Sequence, residues 1–338
     1  MKEIIAKVVR GESLSRDEAR ETMDLLMEGK ASDAQVASLL TALRIKGEDP
    51  EEIAGFAESM RRHALRITPR VYPILDTCGT GGDGKKTFNI STAASFIAAG
   101  AGVPVAKHGN RGVSSGCGSA DVLEELGIRI DMPAEAVREC IERIGMGFLF
   151  APLFHPAMKH VMKVRKEMGI PTVFNLLGPL ANPAGASHQL LGVGLREKAP
   201  VLAQALAEMG VRRALVVCGE DGMDELSTVS PTRVWEVREG EVFAYTVDAV
   251  SLGLSRSRPE DLRGGDAREN ALIIREEVLA GKPGPRTEVA LLNAAAALYA
   301  AEAVEDLEEG LAMAKESVKS GKALEVMEAM AEYSRGVN

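Results

Sequence analysis

The sequence predicts an α/β protein in which a small N-terminal helical domain precedes a larger domain with a mostly parallel central sheet flanked by helices. Three observations carry this. Residues 1 to about 66 show only helical periodicity; after Pro69 short β-type runs alternate with glycine loops and apolar helices; and from about Asp266 the pattern is mostly helical again. Alternation of the second kind is what parallel strands with crossover helices produce.

The N-terminal helices are justified one by one. EIIAKVVR comes first, then ARETMDLLMEG behind the capping box Ser15-Arg16-Asp17-Glu18, then DAQVASLLTALRIKG, then DPEEIAGFAESMRRHA. Gly29 and Gly47 stand where C-terminal stops belong, and Pro50 stands at the start of the fourth helix. None is long enough to be stable alone, so they must pack together or on a neighbour. Strand and helix then alternate as VYPILD, STAASFIAAGA, VPVAK and SADVLEELG, with further strands near 148–150 and 189–194. PAMKHVMKVRKEMG (156–169) is a helix opening on proline and closing on Gly169. RALVVCG (213–219) is a buried central strand, and TRVWEVREGEVFAYTV is a hairpin turning near Glu239-Gly240.

Composition narrows the function. With 46% hydrophobic residues in 338, the chain buries real cores and fits about two domains. It has no run of apolar residues long enough to span a membrane, and its first residues lack a signal-peptide pattern, so a soluble cytoplasmic protein is expected. Cys78, Cys117, Cys140 and Cys218 are scattered without metal or disulfide spacing. A net charge of −9 argues against a nucleic-acid partner and requires that any anionic ligand be captured locally.

The segment DTCGTGGDGKKTFNIS (76–91) contains G-x-G-x-x-G at Gly79, Gly81 and Gly84. A dinucleotide site would need a helix opening directly after the last glycine and an acid about 20 positions on. Here the helical run begins near Ser91 and the later segment, PVAKHGN, is basic. The glycines and the NIST helix start instead read as a phosphate cradle, with Ser91 and Thr92 adding hydroxyls, although Asn89 and Ser91 also read as ordinary caps around a tight turn. A second loop, KHGNRGVSSGCGS (107–119), brings Lys107, His108 and Arg111 to the next strand end, and Ser119 reads as an N-cap. A third, GEDGMDELS (219–227), sets Glu220, Asp221, Asp224 and Glu225 at a strand end. Asp224 and Glu225 are oxygen ligands suited to Mg²⁺ beside a polyphosphate, against the alternative of a plain acidic surface loop. Arg165 falls within the apolar stripe Met158, Val161, Met162 and Met168, where it either snorkels or holds a carboxylate; His155 stands at the cap of that helix.

The stretches GTGGDG, TFNIST, VAKHGNR, SSGCGSADVLEELG, FAPLFHPAMKHV with VRKEMG, FNLLGPLANPA and GEDGMDELS occur in the order seen in the anthranilate phosphoribosyltransferases, which this chain resembles from about residue 76 to 230. The resemblance implies transfer of phosphoribosyl from phosphoribosyl pyrophosphate (PRPP) to the amine of anthranilate, within tryptophan biosynthesis and on a nucleoside phosphorylase-like fold. It implies a homodimer of hinged domains, 1–68 joined by helices from about 156–185, and 69–155 with 186–338. An association with an anthranilate synthase component is left open. Carried over residue by residue, it implies that Gly79, Gly82, Asp83, Thr87, Asn89, Ile90, Ser91, Thr92, Lys107, Ser115 and Ser119 bind PRPP. Gly79, His108, Gly109, Asn110, His155 and Arg165 would meet anthranilate, and Ser91, Asp224 and Glu225 would hold Mg²⁺, two ions with PRPP. One departure is Gly116, where the family usually has Lys or Arg. No general base is evident. A pyrimidine nucleoside phosphorylase is the competing enzyme, and an idle nucleic-acid-binding relative the competing non-enzyme; the DE pair and Arg165 favour neither.

Overall fold

The computed structural model describes residues 1–112 and 116–337. Four helices open the chain: α1 (Lys2–Val9), α2 (Arg16–Met27), α3 (Asp33–Lys46) and α4 (Pro50–Arg62). Ser15 and Glu18 form the expected reciprocal cap at α2, Ser32 and Gln35 repeat it at α3, and Gly47 closes α3 at φ 88°. Each such box satisfies two amides that the helix cannot. Leu26, Leu40, Leu43, Ile53 and Phe56 bury their side chains between these helices.

The α/β part runs β1 (Leu75–Gly79), α5 (Ile90–Gly100), β2 (Val105–Gly109), α6 (Ser119–Glu125), α7 (Ala134–Ile144), β3 (Met146–Phe150), α8 (Ala151–Phe154), α9 (Lys159–Met168), α10 (Phe174–Leu177), β4 (His188–Gly192), α11 (Ala199–Glu208) and β5 (Arg213–Gly219). The hairpin β6 (Thr232–Arg238) and β7 (Glu241–Val247) follows, then α12 (Ala267–Leu272), α13 (Pro285–Ala300), α14 (Leu307–Lys319) and α15 (Lys322–Gly336). The seven strands lie in the order β3-β2-β1-β4-β5-β6-β7. The first five are parallel, and β6 and β7 are antiparallel. The chain leaves β1 toward β2 and β3, then returns to place β4 on the other side of β1. The crevice beyond the ends of β1 and β4 is therefore the switch point at which open α/β sheets take ligands.

Alternation along the strands divides the core. Leu75, Leu190, Leu215 and Val217 face a cluster closed by α5, α13, α14 and α15. Cys78, Leu191 and Val216 face a second cluster that includes α11, the N-terminal helices, Val161 and Val164 of α9, and Phe174 and Leu177 of α10.

Several boundaries differ from expectation for identifiable reasons. The strand expected over VYPILD begins only at Leu75, because Pro69 and Pro73 have no amide to give a ladder. The strand VPVAK runs on to Gly109, because Lys107 and His108 pair with Phe148 and Leu149 of β3; these two residues stand in the sheet and not in a loop. Ser119 is the first residue of α6 and not its cap, since the Asp121 carboxylate takes the Gly118 amide (2.8 Å) and the Gly112 amide (2.9 Å). Helix 156–169 opens as a single 3₁₀ turn over Pro156–Met158 and ends at Gly169 with φ 64°.

Candidate active site

Four parallel strands, β1, β2, β4 and β5, end on glycine, and two of these ends show why. A Cβ on Gly192 would lie 1.6 Å from the Asp224 carbonyl oxygen, and one on Gly79 would lie 2.8 Å from Asp224 Oδ2. The acidic loop after β5 thus folds back across the ends of β4 and β1, against the loop 80–88 that follows β1. That loop is tied down by the Thr80 amide donating to Gly192 O (2.9 Å) and the Gly194 amide donating to Thr80 Oγ1 (3.2 Å).

Of the four acids, Glu220 is exposed and Asp221 is bound by the Ser230 hydroxyl (3.0 Å), so both serve the loop itself. The other two point at the crevice. Asp224 Oδ2 accepts from the Gly81 amide (3.0 Å), and Glu225 Oε1 accepts from the Ser91 amide (3.2 Å) at the start of α5. Asp83, expected at PRPP, lies against them, its Oδ2 accepting from the Asp224 amide at 3.4 Å. Burial, and then the Asp83 charge, push the Asp224 carboxyl up to about 7. Burial and the Asp224 charge push Glu225 well up. Three acids held this close favour a cation between them. Among the described residues no three His, Cys, Asp or Glu side chains form a complete metal cage, so an ion held by Asp224 and Glu225 would take its remaining oxygens from phosphate and water.

Lys107 is only 2% exposed and donates from Nζ to Thr77 O (2.5 Å) and Ser91 Oγ (3.3 Å). Burial pushes its pKa down, and the charges of Asp76 and Glu225 oppose that. Asp76, fully buried, accepts from the His108 amide (3.2 Å) and from Asn182 Nδ2 (2.8 Å). Burial raises this carboxyl to about 6, and the Asn182 bond opposes the rise.

The remaining residues of the proposed PRPP set sort cleanly. Gly82, Asp83 and Thr87 line a cleft of about 500 Å³, joined by Lys86, Cys117 and Asn270. Asn89 makes no side-chain cap; its Oδ1 accepts from Asn270 Nδ2 at 3.0 Å. The Ile90 side chain is in the core, and its amide donates to Phe88 O at 2.7 Å. The Thr92 hydroxyl is buried without a partner among the described residues. Ser119 Oγ donates to Asn110 O at 3.4 Å. Arg111, expected to offer a free cation, is held by Asp121 (3.0 Å) and Glu124 (2.5 Å). Ser115 lies outside the described residues.

On the acceptor side, the His108 and His155 rings lie with centroids 5.0 Å apart and planes tilted by 54°. The Gly178 carbonyl can only accept, so His108 Nδ1 (3.2 Å away) carries the proton and Nε2 is left as an acceptor. Both Nε2 atoms are buried with no partner among the described residues. Burial lowers His108 to about 3 and His155 to about 4, so both rings are neutral. Gly109 ends β2 beside them, and Asn110 turns its Oδ1 to the Arg111 amide (2.8 Å). Met158, Val161, Val164 and Met168 pack against the second core cluster while Met162 is exposed, so Arg165 lies within the stripe as expected. Its guanidinium lies 4.9 Å above the Phe174 ring and has no ion-pair partner among the described residues.

Residues 2–64 match the family model described as the helical bundle domain of a glycosyl transferase family, and residues 71–324 match that family's a/b domain. The anthranilate phosphoribosyltransferase of Acetivibrio thermocellus is 51% identical over 99% of this chain and 96% of its own. The crystal structure of the enzyme of that name from Thermus thermophilus superposes with a TM-score of 0.93 at 47% identity, covering 98% of this chain and 99% of that one. The Saccharomyces cerevisiae enzyme in complex with PRPP and Mg superposes at 0.87 with 32% identity, covering 95% of this chain and 94% of that one. This chain is a member of the anthranilate phosphoribosyltransferase family.

In this family member sequence reasoning missed Asn182, Asn270 and the left-handed Lys86 (φ 57°). Asn270 is 2% exposed and takes the Gly265 amide (2.8 Å) while holding Asn89, so it joins α12 to the start of α5. Asn182 stands in the stretch FNLLGPLANPA without a role assigned there, Asn270 stands in none of the matching stretches, and their burial in the fold reveals both.

Proposed function

We propose that this chain transfers the phosphoribosyl group of PRPP to the amine of anthranilate, with release of pyrophosphate, as a magnesium-dependent step of tryptophan biosynthesis. The observation that carries the proposal is the pair Asp224 and Glu225, clamped between the glycine loop and the first turn of α5. In the reaction the bond from ribose C1 to the pyrophosphate oxygen breaks, a bond from C1 to the amine nitrogen forms, and the amine loses one proton.

Each group on the page has work in that scheme. The glycine loop amides and Thr87 hold PRPP at the switch point, and Lys107 supplies a buried positive charge. Asp224, Glu225 and the Ser91 hydroxyl hold Mg²⁺, which when bound offsets the negative charge gathering on the leaving pyrophosphate. Arg165 takes the anthranilate carboxylate, with Phe174 fixing the plane of its fork. His108 Nε2 accepts from the incoming amine and so aims it; a ring this weakly basic orients the proton and does not remove it. Positioning supplies much of the rest. We further assign residues 1–68, joined by about 156–185, to a domain that closes on the remainder, and propose a cytoplasmic homodimer.

Pyrophosphate release from PRPP is the test. Release that needs both anthranilate and Mg²⁺ is the expected result. Absence of release, together with phosphate-dependent cleavage of uridine or thymidine, overturns the proposal in favour of a nucleoside phosphorylase.

A further inference from the structure

A second cleft lies on the side of α4 that faces α2. It is a cleft of about 360 Å³ lined by Arg20, Arg61, Arg62, Arg66 and Glu58. Four guanidiniums lining one cleft with a single carboxylate are out of character for a chain of net charge −9. The nearby acids do not neutralise the group. Glu58 is shared with Arg16, Asp17 takes Arg20 (2.6 Å), and Asp24 takes Arg62 (2.6 Å). Arg61 and Arg66 have no ion-pair partner among the described residues.

Ordinary helix-end electrostatics do not account for the cluster. Cations in the last turn of a helix are favoured by its own free carbonyls. Arg61, however, donates from Nε to Leu180 O (2.7 Å) across the helical interface, Arg62 reaches Asp24 on α2, and Arg66 lies beyond the end of α4. The Leu180 bond fixes Arg61 with the rest of its fork toward the cleft. Preorganised, weakly hydrated forks of this kind match phosphate oxygens two at a time.

We propose that the arginine cleft is a binding site for a small phosphate-bearing anion, separate from the crevice at the strand ends. The site's volume of about 360 Å³ admits a diphosphate or a sugar phosphate. Binding is ionic, so it weakens steeply with salt. The charge of Arg61 reaches His108 and Asp76 of the transfer site, so the two sites are told apart through Arg66, which lies outside the residues assigned to phosphoribosyl transfer.

The test is calorimetric titration of the full-length protein with inorganic pyrophosphate, and separately with ribose 5-phosphate, at low salt without Mg²⁺. Arg66→Glu is the main variant, since Arg66 is exposed and holds nothing in place; Arg61→Gln with Arg66→Ala is the second. The expected result is a pyrophosphate site that Arg66→Glu weakens at least tenfold while the KM for PRPP is unchanged. Preference for ribose 5-phosphate over pyrophosphate would assign the cleft to a phosphomonoester. Identical titrations of wild type and both variants overturn the proposal. So does displacement by polyglutamate in place of either phosphate, which would make the cleft a peptide surface.

Discussion

The Ser91 amide, in the first turn of α5, donates to Glu225 Oε1 at 3.2 Å. The helix end that the sequence offers to a phosphate is therefore met by one of the protein's own carboxylates, and phosphate must reach this region with a cation between. Glu225→Gln with Asp224→Asn is expected to raise the Mg²⁺ concentration for half-maximal activity by tenfold or more, in keeping with the ~1.5–3 kcal/mol of a charge-assisted contact. A magnesium titration of initial rates checks this. An unchanged midpoint would make the pair a structural clamp only.

The same acids give a pH signature to stability. In the folded chain the Asp224 carboxyl stands at about 7, above its ordinary range, because of burial and the Asp83 charge. A carboxyl raised on folding adds stability that is complete below its unfolded value near 4 and is lost as pH rises through about 7. Metal-free protein is thus expected to lose melting temperature between about pH 4 and 7, with Asp224→Asn flattening that part of the curve and added Mg²⁺ restoring it at the upper end. Scanning calorimetry of both proteins across this window decides the matter; parallel curves would remove Asp224 as the cause.

Arg165 lies over Phe174 without an acid, poised on the acceptor side. Arg165→Ala is expected to raise the KM for anthranilate by tenfold or more, the loss of about 1.4 kcal/mol or more from a bidentate contact, with the KM for PRPP moving little. Arg165→Lys should recover only part, because a point charge cannot reproduce the fork. Equal changes in both KM values would take Arg165 away from the carboxylate.

Those residues also show how far the sequence could be read. The switch-point sheet, the hairpin at Glu239-Gly240 and the capping boxes follow from local pattern, where periodicity and turn chemistry suffice. Which carboxylates face the crevice does not. Asp221 and Asp224 are three residues apart in one loop, yet the first ties that loop to Ser230 and the second reaches Gly81, a separation made by a crossing over Gly192 that only the fold reveals. Lys107 reads as a loop cation because strand ends are the least certain boundaries; pairing with Phe148 carries the strand two residues further and buries it. Ile90 and Thr92 flank Ser91 in an attractive motif, but helical geometry turns neighbours to different faces, and these two turn inward.

Gly116 gives the last prediction. It lines the same cleft as Gly82, Asp83 and Thr87, and a Cβ added to it would meet nothing within 4 Å. Its backbone is not among the left-handed positions, so a side chain costs no strain there. Glycine at this point is therefore not required by packing, and what it withholds is a second positive charge in a cleft that Lys86 also lines. Gly116→Lys is expected to lower the KM for PRPP about threefold to tenfold, the ~0.5–1.5 kcal/mol of one added contact in partly screened surroundings, and to leave the KM for anthranilate unchanged. The gain should shrink as salt rises from about 0.05 to 0.5 M, since the Debye length falls well below 10 Å over that range. Steady-state kinetics at the two salt concentrations check both halves. A lowered KM that ignores salt would point to loop ordering by the longer side chain, and an unchanged KM would place the PRPP phosphates out of reach of residue 116.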